Sequence, residues 1–573
     1  MKAKYLLIGI VVATMTACNL DVFPTGSLTA GEMAKNEAAP EYATAATYAL
    51  LKDGDAYAKG TDAGNTYIRH YFQMAEFPAD NCDLSGRTED VLYEATCYKN
   101  YATQTNVQAF WYFSYHIISS ANGVINTVKD GASAATDQIK GENYFLRALA
   151  ELNLVTMYAK PYTVDPSAPG IVINTGESDA TKRATVEESY NQIVSDLQEA
   201  IKLMNKKRGN NGYASKEAAQ GLLTRVYLYM GKYDECVKLA NEILGGDPSA
   251  KLEQGAAYAA EDGKGGMFAN AKDSKEVLFC AALMDDESKG QEMMGSMFIK
   301  DGVGWGEIYP SDPLLNLYER YPQDIRMRYI LPQYKDNGKQ MVSFPVKGAD
   351  GDDYRLTFAT EAITKVGEEY SFNYDGTKYT TTTETINGEG KSDPEGEYTQ
   401  RYITINGEKQ VVRITPSLNN RSGYTSLQYF MSKFSYQGGD PMLNSPIFIR
   451  WAEVILNRAE ANAHLNNAAA ALADVNIIRR RAGLTDETTD LFATDNMHGY
   501  ESALNVVLDE RRLELAFEGF RTFDIYRNKL NMDRRFAGIH PWEVVDYKDN
   551  KIQYPIPYNE IMANPGVTQN PGY

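Results

Sequence analysis

The sequence predicts a mainly α protein, a superhelix of tetratricopeptide-like helix pairs that carries a loop-rich, partly β insertion. Two observations predict it. Apolar residues recur at helical spacing in paired blocks over residues 37–245 and again over 446–573. Between them, over 246–445, the helical period fails and the chain fills with Gly, Asp, Asn, Thr and Tyr.

At the amino terminus, Lys2 and Lys4 precede an apolar run from Tyr5 to Met15, and Thr16 and Ala17 lead into Cys18. So short a run does not span a bilayer. Its basic start and the small residues before a cysteine resemble the signal of bacterial lipoproteins, with 1–17 removed and Cys18 lipidated as the first mature residue. Residues 18–36 are small and polar and read as a tether. No later stretch approaches ~18 uninterrupted apolar residues, so attachment to the membrane is expected through lipid alone.

In the first helical part the best-defined hairpin is Ala218 to Leu244, where Val226, Tyr227, Gly231, Tyr233, Cys236 and Ala240 supply the small, aromatic and turn residues that a tetratricopeptide pair needs. One pair cannot bury its own face, and its expected neighbours are Gln104 to Val128 with Gln138 to Tyr158, and Thr185 to Met204 leading into Ser215 to Met230. Thr185 with Glu188 has capping-box spacing, and Ser215 stands where an N-cap should. The second part gives helices over Phe448 to Leu465, Ala468 to Ala482 before Gly483, and Tyr500 to Phe517 before Gly519. In the insertion, Tyr379 to Thr385, Tyr402 to Ile405 and Gln410 to Thr415 are strand-like, and Asn387-Gly388 and Asn406-Gly407 are hairpin turns.

A formal charge of −19 repels polyanions and no basic stripe offsets it, so nucleic acid is excluded as a partner. Beyond Cys18 the cysteines are Cys82, Cys97, Cys236 and Cys280, with no CxxC; spacing leaves open whether Cys82 and Cys97 are bridged or free, whereas Cys236 and Cys280 read as small buried hydrophobes. No HExxH, GxSxG or GxxxxGK[ST] pattern occurs, and His464 lies within a predicted helix pair as a core or surface residue. Asp350-Gly351-Asp352-Asp353 lacks the full calcium-loop register and reads as a solvated turn, so neither metal nor cofactor is expected. Glu510, Glu514 and Glu518 share a helix face, but Arg511, Arg512 and Arg521 interleave with them. Such neighbours depress carboxylate pKa values where a general acid needs a raised one, which predicts a structural ion-pair network and no catalytic residues.

Three carboxy-terminal stretches resemble the SusD/RagB family. One runs from Arg450-Trp451-Ala452-Glu453 through Asn457-Arg458-Ala459-Glu460-Ala461 to Arg479-Arg480-Arg481-Ala482-Gly483-Leu484. Another is Asp509-Glu510-Arg511-Arg512-Leu513-Glu514-Leu515-Ala516-Phe517-Glu518-Gly519-Phe520-Arg521 with Asp524 and Arg527, and the last is Tyr554-Pro555-Ile556-Pro557, Glu560, Asn564-Pro565 and Gln569 to Tyr573. Trp111, Ala121-Asn122 and Glu142 through Leu146-Arg147-Ala148 are similar to the family's first helix pair. The resemblance implies roughly four helix pairs. It also implies a non-enzymatic outer-membrane lipoprotein facing the cell exterior, a lid over a SusC-like TonB-dependent transporter that captures a glycan or, in some members, a peptide.

Glycan capture asks for aromatic faces against sugar C–H groups beside hydrogen-bonding side chains, and two loops offer them. One, Glu76 to Tyr101, carries Asp80, Asn81, Asp83, Arg87 and Tyr93; in the other, Gly302 to Tyr309, Trp305 stands between Gly304 and Gly306 and Tyr309 follows. A surface glycosidase and an internal protein-binding adaptor are the competing classes. The paired arginines argue against the first and Cys18 with its signal against the second.

Overall fold

The computed structural model describes residues 38–54, 64–84, 91–176, 181–299, 303–332, 340–347, 354–359, 363–386, 398–416, 429–485, 490–536, 540–541 and 543–573. Cys18, Arg87, Asn387-Gly388 and the Asp350 to Asp353 run lie outside the described residues.

The predicted helices form where local chemistry starts and stops them. Thr185 accepts the Glu188 N–H at 3.1 Å and the Glu188 carboxylate accepts the Thr185 N–H at 2.8 Å, closing the capping box of Val186–Leu203. Ser215 caps Lys216–Tyr229, and Gly231, at φ +70°, turns the chain into Tyr233–Leu244. Thr105–Thr127 packs on Ala134–Tyr158, which packs on Val186–Leu203, and Lys216–Tyr229 and Tyr233–Leu244 continue the stack. There the insertion leaves. When the chain returns, Trp451–His464 packs directly on Tyr233–Leu244, and Ala468–Arg481 and Ala503–Leu515 follow. The two helical parts of the sequence are therefore one continuous stack; the main apolar core runs through both, and Ala459, Leu472, Val475 and Val507 form a smaller cluster between the last helices.

Antiparallel pairing of Val277–Cys280 with Ile447–Arg450 closes the neck of the insertion. The helical pattern that predicts a helix from Phe448 is overridden here: Ile447, Phe448 and Ile449 are buried in a strand, and the helix begins at Trp451. Gly221 lies against this pair, where a Cβ would stand 3.0 Å from Leu278 Cδ1 and 3.1 Å from Ile449 Cγ2, so the close approach of the helix needs glycine.

The insertion carries a five-stranded antiparallel sheet in the order Thr382–Ile386, Tyr398–Ile405, Glu408–Pro416, Gln340–Lys347, Tyr354–Ala359, and a three-stranded one of Thr364–Val366, Glu369–Tyr374 and Thr377–Thr380. Val342, Phe344, Phe372, Ile403, Ile405 and Val412 form a small core of their own between them. Asn406-Gly407 makes the expected tight turn, with φ +53° and +81°. One helix, Asp312–Glu319, stands where the sequence reads as loop; Ser311 caps it and Pro313 fits its first turn.

The carboxy terminus straps the first helices together. The Tyr554 and Tyr558 N–H groups donate to Met157 O and Ala102 O, each at 2.9 Å, and Asn570 Nδ2 donates to Tyr158 O at 2.8 Å and Tyr554 O at 2.7 Å. Among the described residues, no helix is long and apolar enough to cross a membrane.

Candidate functional site

The Arg/Glu-rich helix is buried and fully engaged. Glu514 accepts from Arg450 Nη1 at 2.6 Å, from Arg326 Nη1 at 3.4 Å and from Arg481. Glu518 accepts from Arg450 Nε at 2.7 Å and Lys433 Nζ at 2.8 Å, and Glu510 from Arg326 at 2.6 Å and Arg479 at 3.0 Å. Burial works to raise the Glu514 pKa, but Arg481, Arg450 and Arg326 outweigh it and hold the carboxyl well below the usual carboxylate range. An acid so held keeps no proton to give at neutral pH, so this cluster has the chemistry of a frame.

Most of the residues expected in ligand loops lie inside the protein as well. Strand Cys82–Leu84 pairs antiparallel with Ile308–Pro310, with Asp83 opposite Tyr309, so the two loops do meet, as a buried ladder. Asp80 accepts from Arg521 Nε at 2.8 Å and Nη2 at 3.0 Å and pairs with Arg512 at 3.2 Å; burial raises its pKa, and these arginines pull it far below the ordinary value. Asn81 donates to Glu76 Oε1 at 3.0 Å and accepts from Arg512 Nε at 2.8 Å, while the Tyr309 hydroxyl donates to Leu84 O at 2.9 Å. Asp80, Asn81, Asp83, Tyr93 and Tyr309 are thus structural groups out of a solute's reach, because long-range strand and arginine partners draw them inward.

Trp305 is the exception, with 47% of its surface exposed. Its N–H donates to Ser296 O at 2.7 Å, and the carbonyl of Val303 accepts from Gln291 Nε2 at 2.7 Å, which fixes the loop to the 290–297 turns. Gly304 makes the bend possible: a Cβ there would stand 2.0 Å from Ile299 O. Val303 and Met284, flanking the same turns, are also exposed.

Those turns form one wall of a cavity of about 310 Å³. Its other walls are the end of helix Ala39–Ala49, the start of helix Tyr67–Glu76 and the 442–446 segment. The wall is largely aliphatic, with Ile68, Leu283, Met293, Met294 and Met442. At the mouth Lys52 Nζ donates to Glu287 Oε2 at 2.7 Å and to Ala282 O at 2.9 Å. Burial raises the Glu287 pKa, yet the hydrogen bonds from Lys52 and the Met284 N–H prevail and hold it below its ordinary value. Met442 also touches the Trp305 loop, its Cε lying 3.2 Å from where a Gly304 Cβ would be. Met442 thus joins the cavity wall to the backbone of the Trp305 loop. The sequence signal for Trp305 is its flanking glycines; no local signal marks the cavity, which four segments of the chain build.

Cys82, Cys97, Cys236 and Cys280 are all buried free thiols, so the pair left open by spacing is unbridged. Among the described residues no cluster of His, Cys, Asp or Glu could hold a metal ion.

The chain matches a family model described as SusD family over residues 275–573 and one described as starch-binding associating with outer membrane over 53–228. It is 25% identical to SusD-like protein P2 of Formosa agariphila over 490 residues, covering 82% of this chain and 81% of that one. It is 22% identical to the starch-binding protein SusD of Bacteroides thetaiotaomicron, with both chains fully covered. Among solved structures, a SusD superfamily protein of B. thetaiotaomicron superposes with a TM-score of 0.68 at 22% identity, over 93% of this chain and 99% of that one. Another, from Bacteroides vulgatus, gives 0.65 at 21% over 93% and 98%.

Proposed function

The chain belongs to the SusD family, and from that premise we propose that it is a non-enzymatic outer-membrane protein that captures a glycan at the cell surface and passes it to a SusC-like TonB-dependent transporter. Lipid attachment through Cys18 would hold it there, facing outward. The observation that carries the binding role is Trp305, held half-exposed on a fixed loop whose backbone Met442 joins to the cavity wall. A ring presented this way offers its flat face to sugar C–H groups, and the Lys52–Glu287 pair at the mouth can exchange hydrogen bonds with hydroxyls. The starch-binding name of one relative supports the ligand class, and the arginine-neutralised carboxylates support capture without cleavage.

Screening the purified chain against a panel of glycans and peptides, followed by isothermal titration of Trp305→Ala, tests the role. Binding of a glycan with unchanged products is expected, weakened about tenfold or more in the variant, which corresponds to roughly 1.4 kcal/mol. Retention of peptides alone would replace the ligand class; release of shortened sugar by the pure protein would remove the non-enzymatic reading.

A further inference from the structure

The cavity has unfinished polar chemistry in its wall. Asn444 lines it and is 4% exposed; its Nδ2 donates to Phe268 O at 2.9 Å, while its Oδ1 is buried with no partner. Close by, the Ser435 hydroxyl, 1% exposed, is likewise unpartnered and would stand 3.2 Å from a Cβ on Gly295, another lining residue. An unmatched buried acceptor is costly to leave as it is, and a ligand that brings a donor removes the deficit. The apolar part of the wall is aliphatic and thioether, with no aromatic ring among the lining residues, and Lys52, Asp53, Thr66, Glu287, Lys289 and Glu292 supply its polar part. Thioethers adapt to small apolar groups such as a methyl. The volume, about 310 Å³, is at the small end of ligand pockets and suits a monomer, not a polymer lying across it.

We propose that this cavity receives, end-on, one terminal or branch sugar unit bearing a methyl-carrying substituent, either an acetamido group or the methyl of a 6-deoxy sugar. The methyl packs against Met293, Met294 and Met442, an N–H or O–H donates to Asn444 Oδ1, and the exposed Trp305 takes the rest of the chain. The inference rests on the glycan-capture reading and narrows it from a surface platform to recognition of a chain end.

The test is titration of the full mature chain with N-acetylglucosamine, N-acetylgalactosamine, fucose, rhamnose, glucose and galactose. At least one methyl-bearing sugar should bind about tenfold more tightly than the plain hexoses, the usual discrimination for a methyl group in an apolar pocket. Ala49→Leu, which fills the cavity from a partly exposed helix end, should abolish that binding. Asn444→Leu should weaken it too, and Ala49→Leu keeps the test decisive if the Asn444 variant folds poorly. No monosaccharide binding, equal binding of the plain hexoses, or binding indifferent to Ala49→Leu overturns the inference. If polysaccharide is still held through Trp305 in those cases, glycan capture stands and only end recognition falls. Loss of all glycan binding by the unaltered chain would take the capture reading with it.

Discussion

Charge is used in opposite ways under the carboxy-terminal helices and at the mouth of the cavity. Beneath the helices, Glu276, Glu510, Glu514 and Glu518 meet Arg326, Arg450, Arg479 and Arg481 with side chains 3% exposed or less. At the mouth, Lys52 and Glu287 are 23% and 35% exposed. A pair near solvent contributes only ~0–1 kcal/mol, whereas removing one partner from a buried network costs about 3–5 kcal/mol because the other charges stay behind. Pairs of a basic side chain with glutamate therefore fix a frame in one place and remain available to a solute in the other. Burial, and not composition, separates them.

The largest expected effect follows from breaking the buried side. Glu514→Ala takes one buried partner at once from Arg450, Arg481 and Arg326 and should lower stability by about 3–5 kcal/mol, read by urea denaturation or as lost expression. An unchanged unfolding midpoint would mean that water reaches the cluster and that the contrast with the cavity mouth is false.

Acid should also act on the frame through His70, in the helix Tyr67–Glu76. Both its ring nitrogens are buried without a partner, and burial, aided by Arg69, pushes its pKa down to about 3. Its folded pKa lies below the unfolded one, so its contribution to stability is intact above pH ~6.5 and falls by about 1.4 kcal/mol per unit as pH drops toward 3. Glu76, raised to about 7 by burial against the hydrogen bonds of Asn81, Gly519 and Phe517, has the opposite sign: its term is intact below its unfolded value and is lost as pH climbs through 7. Melting curves from pH 3 to 8 should show the acid decline, and His70→Leu should flatten it; an acid limb unaltered by that substitution assigns the loss to other groups.

A smaller effect is expected at Asp80, whose sequence context suggests a ligand loop. Asp80→Asn leaves Arg521 and Arg512 half-satisfied and should destabilise by about 2–3 kcal/mol while glycan affinity, read by titration, stays unchanged. Weakened binding without loss of stability would return this segment to the ligand site. The helices and their caps are legible in sequence because each is written within one helical turn or two. The ion-pair character of the Arg/Glu stretch is legible too, but its partners are not: Glu510, Glu514 and Glu518 meet Arg326, Arg450, Arg479 and Arg481 from other segments, while the interleaved Arg511 turns to Asp524 and Arg512 and Arg521 to Asp80. Asp80, Asn81 and Tyr309 are buried against expectation because the partners of all three, Arg512, Arg521 and strand Cys82–Leu84, lie more than two hundred positions away and carry no local period. The cavity is invisible for the same reason, since Ala49, Leu283 and Asn444 are unremarkable in their own neighbourhoods.

The mildest perturbation sharpens a second contrast, between the frame and the β-rich part of the insertion. Gly407 sits at φ +81° in the turn between Tyr398–Ile405 and Glu408–Pro416, where an L-residue is strained by roughly 1–2 kcal/mol. Because Val342, Phe344, Phe372, Ile403, Ile405 and Val412 form a core apart from the main one, Gly407→Ala should loosen these strands alone. Hydrogen exchange should quicken along both strands of the hairpin while the main melting transition stays where it is. If that transition moves down together with the hairpin's protection, insertion and frame unfold as a single cooperative unit, and the separate apolar cluster does not amount to separate stability.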